Sequence, residues 1–237
     1  MDGGEPPRLI LLDALGTLLA LVEPFESFAS ALARRGVTVT PAEATTALTA
    51  EMRYYRAHCQ RAGDAASLDQ LRDRCTEVLQ AALPDLARNA LEHAALRQAL
   101  LEAIHFEPFP DVPPALHRWR AAGTRLAVVS NWDVSLHDAL ADTGLTPAFE
   151  LVLSSAEAGA SKPDPAIFEL ALRTLAASPA DAVHVGDSEA EDVTGAIAAG
   201  IRPVLLRRDG RPAPTAASNT VRSLDKLWPC PRRPPSA

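Results

Sequence analysis

Leu9-Ile10-Leu11-Leu12-Asp13-Ala14-Leu15-Gly16-Thr17-Leu18 is an apolar tetrad that runs into an acid and then a Gly-Thr turn. Four consecutive apolar residues bounded by turn chemistry read as a short strand buried on both faces. Asp13 stands where that strand ends. A carboxylate there is placed to act as a nucleophile or to hold a metal; the bland alternative is a turn or N-cap aspartate. Three later segments repeat the arrangement of polar chemistry at a strand end: Val128-Val129-Ser130-Asn131, Ser161-Lys162-Pro163-Asp164, and Val185-Gly186-Asp187 followed by Asp192.

Outward from this strand the pattern changes twice. From about residue 21 to 106 only helical periodicity is expected. Phe25, Phe28, Ala29 and Leu32 recur at helical spacing up to Gly36, and Thr40-Pro41-Ala42-Glu43 has capping-box spacing with Pro at the first helical position. Ser67 with Gln70 is read as the next helix start, and a further helix is expected from about Leu86 to Ile104. After Phe109-Pro110 strands alternate with helices. Strands are predicted at Arg125–Ser130, Leu151–Ser154, Ala182–Gly186 and Pro203–Leu206. The helices between them are predicted at Pro113–Ala122, Ser135–Thr143, Pro165–Leu175 and Asp192–Ala199. This alternation implies a parallel sheet covered on both faces, with the helical stretch inserted after its first strand. One segment near Leu224–Trp228 is expected to pack, and the chain end to fray.

The 237 residues suffice for a large domain, or for a core with a smaller insertion. A net charge of -7 argues against nucleic-acid binding, and no apolar run is long enough for a membrane span. Three cysteines, Cys59, Cys75 and Cys230, lack paired spacing and read as reduced thiols. The acidic, Pro/Gly-rich start does not resemble a secretion signal, so a cytoplasmic location is expected.

The four marked segments fall at the carboxyl ends of strands, where open parallel sheets bind ligands. Asp13 is the candidate nucleophile for phosphoryl transfer through an aspartyl-phosphate. The Ser130 hydroxyl and the Lys162 ammonium are candidates for holding the phosphoryl group. Several acids beside Asp13 call for a cation, and an oxygen-rich open site suits Mg²⁺. Asp187 would be a direct ligand; Asp192 would orient Lys162 or metal-bound water. Glu189 and Glu191 are read as helix N-terminal acids complementing the dipole.

Taken in order, Asp13-Ala14-Leu15-Gly16-Thr17, Ser130-Asn131, Lys162-Pro163 and Gly186-Asp187 through Asp192 resemble the four motifs of the haloacid dehalogenase-like hydrolase superfamily. The resemblance is to its subfamily IA, with a type I helical cap, and extends to the haloacid dehalogenase-like hydrolase domain-containing 3 group. It implies an α/β fold: a three-layer Rossmann-like parallel sheet core, residues 8–20 and 107–210, with an inserted all-helical cap, 21–106. A partly disordered C-terminal segment, 211–237, would follow. It also implies Mg²⁺ held by Asp13, Asp187 and the carbonyl of Leu15, with Thr17, Ser130, Asn131 and Lys162 around the phosphoryl group. The implied partner is a small phosphorylated substrate, and the chain is expected to be a monomer or weak homodimer.

Leu15 departs from that pattern. Phosphatases of the superfamily usually carry a second aspartate there, as the acid–base group. A phosphatase is the leading expectation; the alternatives are a 2-haloacid dehalogenase-like hydrolase and a non-catalytic binding or regulatory protein on this scaffold. Arg34 and Arg35 are read as solvated helix ends, with an anionic substrate contact as the alternative, and His105 as a hinge residue rather than the substitute acid.

Overall fold

A computed structural model of the chain describes residues 7–208 and 219–228. Its centre is a six-stranded sheet in the order β5-β4-β1-β6-β7-β8, with every neighbouring pair parallel. The strands are β1 (Leu9–Leu12), β4 (Arg125–Ser130), β5 (Leu151–Ser154), β6 (Ala182–Gly186), β7 (Arg202–Leu206) and β8 (Asn219–Val221). β1 lies in the middle, wholly buried. Its side chains alternate: Ile10 and Leu12 join one apolar cluster with Trp119 and Leu136, while Leu9 and Leu11 join the other with Ile167 and Phe168. A strand covered on both faces needs apolar residues at every position, which is why the tetrad shows no polar alternation.

Helices α6 (Val112–Ala121) and α7 (Leu136–Asp142) cover one face; the short α8 (Ser155–Ala158) follows β5, and α9 (Pro165–Thr174) and α10 (Thr194–Ala198) cover the other face. This is the three-layer, Rossmann-like α/β arrangement that the sequence implied. The helices α1 (Pro24–Ala33), α2 (Pro41–His58), α3 (Ala65–Ala82), α4 (Asp85–Arg88) and α5 (His93–Ala103) enclose an apolar cluster of their own, containing Phe28, Leu48, Leu79 and Leu100. The Thr40 capping box forms in both directions: Thr40 N–H donates to Glu43 Oε2 at 2.7 Å and Glu43 N–H to Thr40 Oγ1 at 3.3 Å. No described helix is long and apolar enough to cross a membrane.

Several local expectations change. α3 begins at Ala65 rather than Ser67, because Asp64 is the cap and Ser67 its partner in a capping box. The helix expected over 86–104 is broken at residues 89–92. There Asn89 turns its amide back onto the Asp85 carbonyl at 2.9 Å, a local bond that competes with helix continuation. Two strands went unforeseen at the ends of the helical stretch: β2 (Leu19–Leu21) and β3 (Phe106–Pro108) pair antiparallel as a small ribbon. Three-residue strands are too short to show periodicity. β8 was also unforeseen, being short and polar at the sheet edge. Leu224 and Leu227 are buried against α6, and Trp228 meets Trp119 edge to face at 5.9 Å. The expected disorder of the tail concerns residues 211–218 and 229–237, which lie outside the described residues, as does Cys230.

Candidate active site

From β1 the chain moves outward to β4 and β5, then returns to place β6 on the other side of β1. The carboxyl end of β1 is therefore a topological switch point, and Asp13 is the first residue beyond it. The turn that follows is tightly bonded. The Ala14 carbonyl accepts from the N–H groups of Thr17, Leu18 and Leu19, and Gly16 N–H donates to Leu19 O. Gly16 has φ +84, and a Cβ there would stand 2.3 Å from Asp187 Oδ2. Glycine is required both for the backbone angle and for the approach of Asp187.

Asp13 is buried, and its Oδ1 accepts from Lys162 Nζ at 2.6 Å and Ser130 Oγ at 2.9 Å. Among the described residues no hydrogen bond reaches its Oδ2. The carboxylate is thus fixed with one oxygen to spare. Lys162, 3% exposed, also donates to Asp192 Oδ1 at 2.6 Å. Asp192 accepts further from His184 Nε2 at 2.9 Å and from Ser188 N–H at 2.9 Å. It is aimed there by a π-helical turn, Glu189–Val193, which closes with Val193 N–H on Ser188 O. Gly186 allows this, since a Cβ there would lie 2.1 Å from Asp192 Cγ.

The two acids that share Lys162 shift in opposite directions. Burial raises both; for Asp192 the charge of Lys162 and the His184 bond outweigh it and hold the carboxyl well below the usual range. For Asp13 burial prevails, with the negative charge of Asp192 adding to it, so its pKa lies above the usual range. Asp187 opens toward solvent, yet the protein around it and the charges of Asp13 and Asp192 push it up to about 7. Carboxylate oxygens of Asp13, Asp187 and Asp192 lie within 4.8 Å of one another. With Asp192 committed to three donors, Asp13 and Asp187 remain the acids available to a cation. In the turn after Asp13 the carbonyls of Ala14, Gly16 and Thr17 are hydrogen-bonded, whereas none of the described residues donates to Leu15 O. An all-oxygen donor set with uncompensated negative charge fits a hard divalent ion such as Mg²⁺.

The remaining candidates are placed differently. Asn131 exchanges two bonds with the Lys162 backbone, donating to its carbonyl at 2.9 Å and accepting from its N–H at 2.8 Å. It also donates to Glu191 Oε2 at 3.1 Å. Its amide locks the loops after β4 and before α9 together, and is not pointed at open space. The Lys162-Pro163 bond between them is cis. Thr17 is fully buried, with its hydroxyl unpartnered among the described residues. Arg34 and Arg35 are both taken up by Glu102, and the exposed His105 side chain faces Glu107 at 3.7 Å. None of the three joins the site. Sequence reasoning missed His184 and Ser188, which hold Asp192; a lone histidine in an otherwise apolar buried strand was the available signal.

The inserted helices touch this region. Tyr55 Oη donates to Asp133 Oδ2 at 2.9 Å, Val134 N–H to Ala62 O at 3.1 Å, and Ser161 Oγ to Gln60 Oε1. All three contacts fall on the loops that follow Ser130 or precede Lys162. An open cleft of about 420 Å³, lined by Arg8, Asp181 and Arg202 among others, lies instead at the amino ends of β1, β6 and β7. It is at the wrong end of the sheet for this chemistry.

The model of the haloacid dehalogenase-like hydrolases matches residues 7–200. The chain belongs to that family. This HAD-like hydrolase is 30% identical over 235 residues to haloacid dehalogenase-like hydrolase domain-containing protein 3 of Danio rerio, covering 94% of this chain and 95% of that one. It is 38% identical over 115 residues to the phosphoserine phosphatase of Thermus thermophilus, covering 48% of this chain and 46% of that one. In fold it resembles a HAD-hydrolase from Bacillus subtilis solved with magnesium bound: TM-score 0.69, 19% identity, 94% of this chain and 98% of that one.

Proposed function

We propose that this HAD-like hydrolase is a Mg²⁺-dependent phosphatase acting on a small phosphorylated molecule through an aspartyl-phosphate on Asp13. The observation that carries this reading is the convergence of Asp13, Ser130, Lys162 and Asp187 at the switch point of the sheet. Asp13, Asp187 and the Leu15 carbonyl would hold Mg²⁺, which when bound offsets phosphate charge and brings the phosphoryl group up to the nucleophile.

Attack by the spare Asp13 oxygen forms an O–P bond while the bond from phosphorus to the leaving oxygen breaks. Lys162 and Ser130 hold the other Asp13 oxygen, fixing the rotation of the carboxylate. They also place an ammonium and a hydroxyl beside the incoming phosphoryl oxygens. Water then attacks phosphorus, its new O–P bond forming as the bond from phosphorus to Asp13 breaks, and its proton leaves with the released phosphate. Asp192 and His184 keep Lys162 in place throughout. The inserted helices, resting on the loops of Ser130 and Lys162, act as the cap that covers substrate and excludes water.

Leu15 supplies no proton to the departing oxygen. General acid–base help is worth about 10²–10⁴ in rate, so leaving groups that depart without a proton, aryl and acyl phosphates, are favoured. The same position admits a dehalogenase reading, since a halide needs no proton; the Asp187 carboxylate packed beside Asp13 disfavours it. Hydrolysis of an aryl or acyl phosphate should require Mg²⁺ and vanish in Asp13→Asn. Turnover of a 2-haloacid in excess chelator, with none of the phosphates, would overturn the phosphatase reading.

A further inference from the structure

Arg208, just beyond β7, reaches back to the turn after β1. Its Nε donates to Gly16 O at 3.2 Å and its Nη2 to Thr17 O at 2.7 Å. Nη1 meets both oxygens of Asp111 at 2.9 and 3.0 Å, and the guanidinium lies 3.8 Å above the centre of the Phe109 ring. Asp111 is anchored in turn by Ser223 Oγ and Leu224 N–H, each at 2.8 Å. The planar fork is thereby clamped on three sides, its orientation set before any ligand arrives.

The consequence for the turn is specific. Three N–H groups hold Ala14 O, and Arg208 holds Gly16 O and Thr17 O; only the carbonyl of Leu15 between them accepts nothing from the described residues. Gly16, at φ +84, has no Cβ to limit its rotation; its flanking peptides are held on the N–H side by Leu19 O and Ala14 O, and Arg208 adds the hold on the carbonyl side. We propose that Arg208 is a positioning residue, whose fork ties back the Gly16 and Thr17 carbonyls and so presents the Leu15 carbonyl to the divalent cation. The inference rests on the Mg²⁺ reading above and extends it to a residue outside the four motifs.

Charge and geometry make opposite predictions here. The guanidinium is close enough to Asp187 for their charges to interact, so as a bare charge it would repel a cation, and its removal would tighten Mg²⁺ binding. As a positioning group its removal weakens binding, by about the 10–100-fold typical when the support of a metal ligand is lost.

The test is calorimetric titration of the full chain with Mg²⁺ alone, beside thermal unfolding in chelator. Wild type, Arg208→Ala, Arg208→Lys and Leu79→Ala are compared. The expected result is about 10–100-fold weaker Mg²⁺ binding in Arg208→Ala. Arg208→Lys recovers little, because one ammonium cannot span two carbonyls and a carboxylate. Leu79→Ala, which opens a cavity in the inserted helices' own apolar cluster and touches neither the turn nor the Arg208 clamp, lowers Tm without changing Mg²⁺ affinity. If Arg208→Ala does not fold, Arg208→Lys carries the comparison and still binds Mg²⁺ at least tenfold more weakly. Binding within twofold of wild type in the folded Arg208 variant, whatever its Tm, overturns the proposal, as does tighter binding. Absence of Mg²⁺ binding in wild type overturns the Mg²⁺ reading itself and this inference with it.

Discussion

Replacing Lys162 with Met keeps the length and packing of the side chain and removes its charge. Lys162 Nζ is 2.6 Å from one oxygen each of Asp13 and Asp192, and all three side chains are buried. Removing one partner from a buried ion pair costs about 3–5 kcal/mol. Proton uptake sets a ceiling: protonating a carboxyl of ordinary pKa, about 4, at pH 7.5 costs about 3.5 × 1.36, or about 5 kcal/mol. A larger penalty would be avoided by neutralising Asp13 or Asp192. For a chain of this size each kcal/mol shifts Tm by about 2–4 °C, so Lys162→Met should melt about 6–20 °C below wild type at pH 7.5. The sign with pH follows. A carboxyl left without its lysine has a folded pKa raised above its unfolded value, so the variant gains stability relative to wild type as pH falls. By pH 5.5 the ceiling has dropped by about 2 × 1.36, or about 2.7 kcal/mol. Thermal unfolding in excess chelator at the two pH values reads both effects. A Tm within 2 °C of wild type at pH 7.5, or a deficit that widens on acidification, would refute the charge accounting.

Gly16→Ala forces a left-handed backbone on a residue with a Cβ, costing about 1–2 kcal/mol, and drives that Cβ to 2.3 Å from Asp187 Oδ2; thermal unfolding should show the loss, and phosphatase assays the absence of Mg²⁺-dependent turnover. Leu15→Asp should raise the rate on alkyl phosphates by a factor approaching 10²–10⁴, with a smaller gain on aryl phosphates; equal gains on both would sink the missing-acid argument. Asp111 is held below the usual carboxylate range because Ser223, the Leu224 N–H and Arg208 outweigh its burial. Its stabilisation is present above the unfolded pKa of about 3.9 and fades as pH falls through the folded value. Asp111→Asn should therefore melt below wild type at pH 7, by the about 1.5–3 kcal/mol of a hydrogen bond to a charged group, and the gap should close below about pH 4. A gap that persists unchanged at pH 3 would contradict this.

What the sequence disclosed, and what it hid, divides by range along the chain. The tetrad Leu9–Leu12 and the Thr40 box are local signals, and each forms as read. The alternation after Phe109 yielded the parallel sheet, because every strand in it but β8 is long and apolar enough to register. The β2–β3 ribbon escaped notice because its partners are three residues each and separated by the whole helical insertion. At the site, Asp13, Ser130 and Asp187 were legible as residues at strand ends; Lys162, expected at one too, stands instead on the loop before α9, well past the end of β5 at Ser154. The work of Asn131 as a brace for the Lys162 backbone was not, since it depends on two loops meeting. Arg208 and Asp111 were invisible for the same reason: their significance comes from the turn they reach, a contact between distant parts of the chain.

The central position of β1 also governs how the chain is made. Leu9 lies opposite Arg125 on one side and Ala182 on the other, so among the sheet's described strands the first to be synthesised gains its second neighbour only once β6 has been made. At about 5–20 residues per second of synthesis, it waits roughly 10–30 seconds for its second neighbour. During that interval the inserted helices, with their own apolar cluster, have all their contacts available and can form first. An exposed Leu-Ile-Leu-Leu segment is meanwhile apolar surface of the kind that makes a nascent chain aggregation-prone, and Asp13 meets Ser130 and Lys162 only when the sheet closes around it.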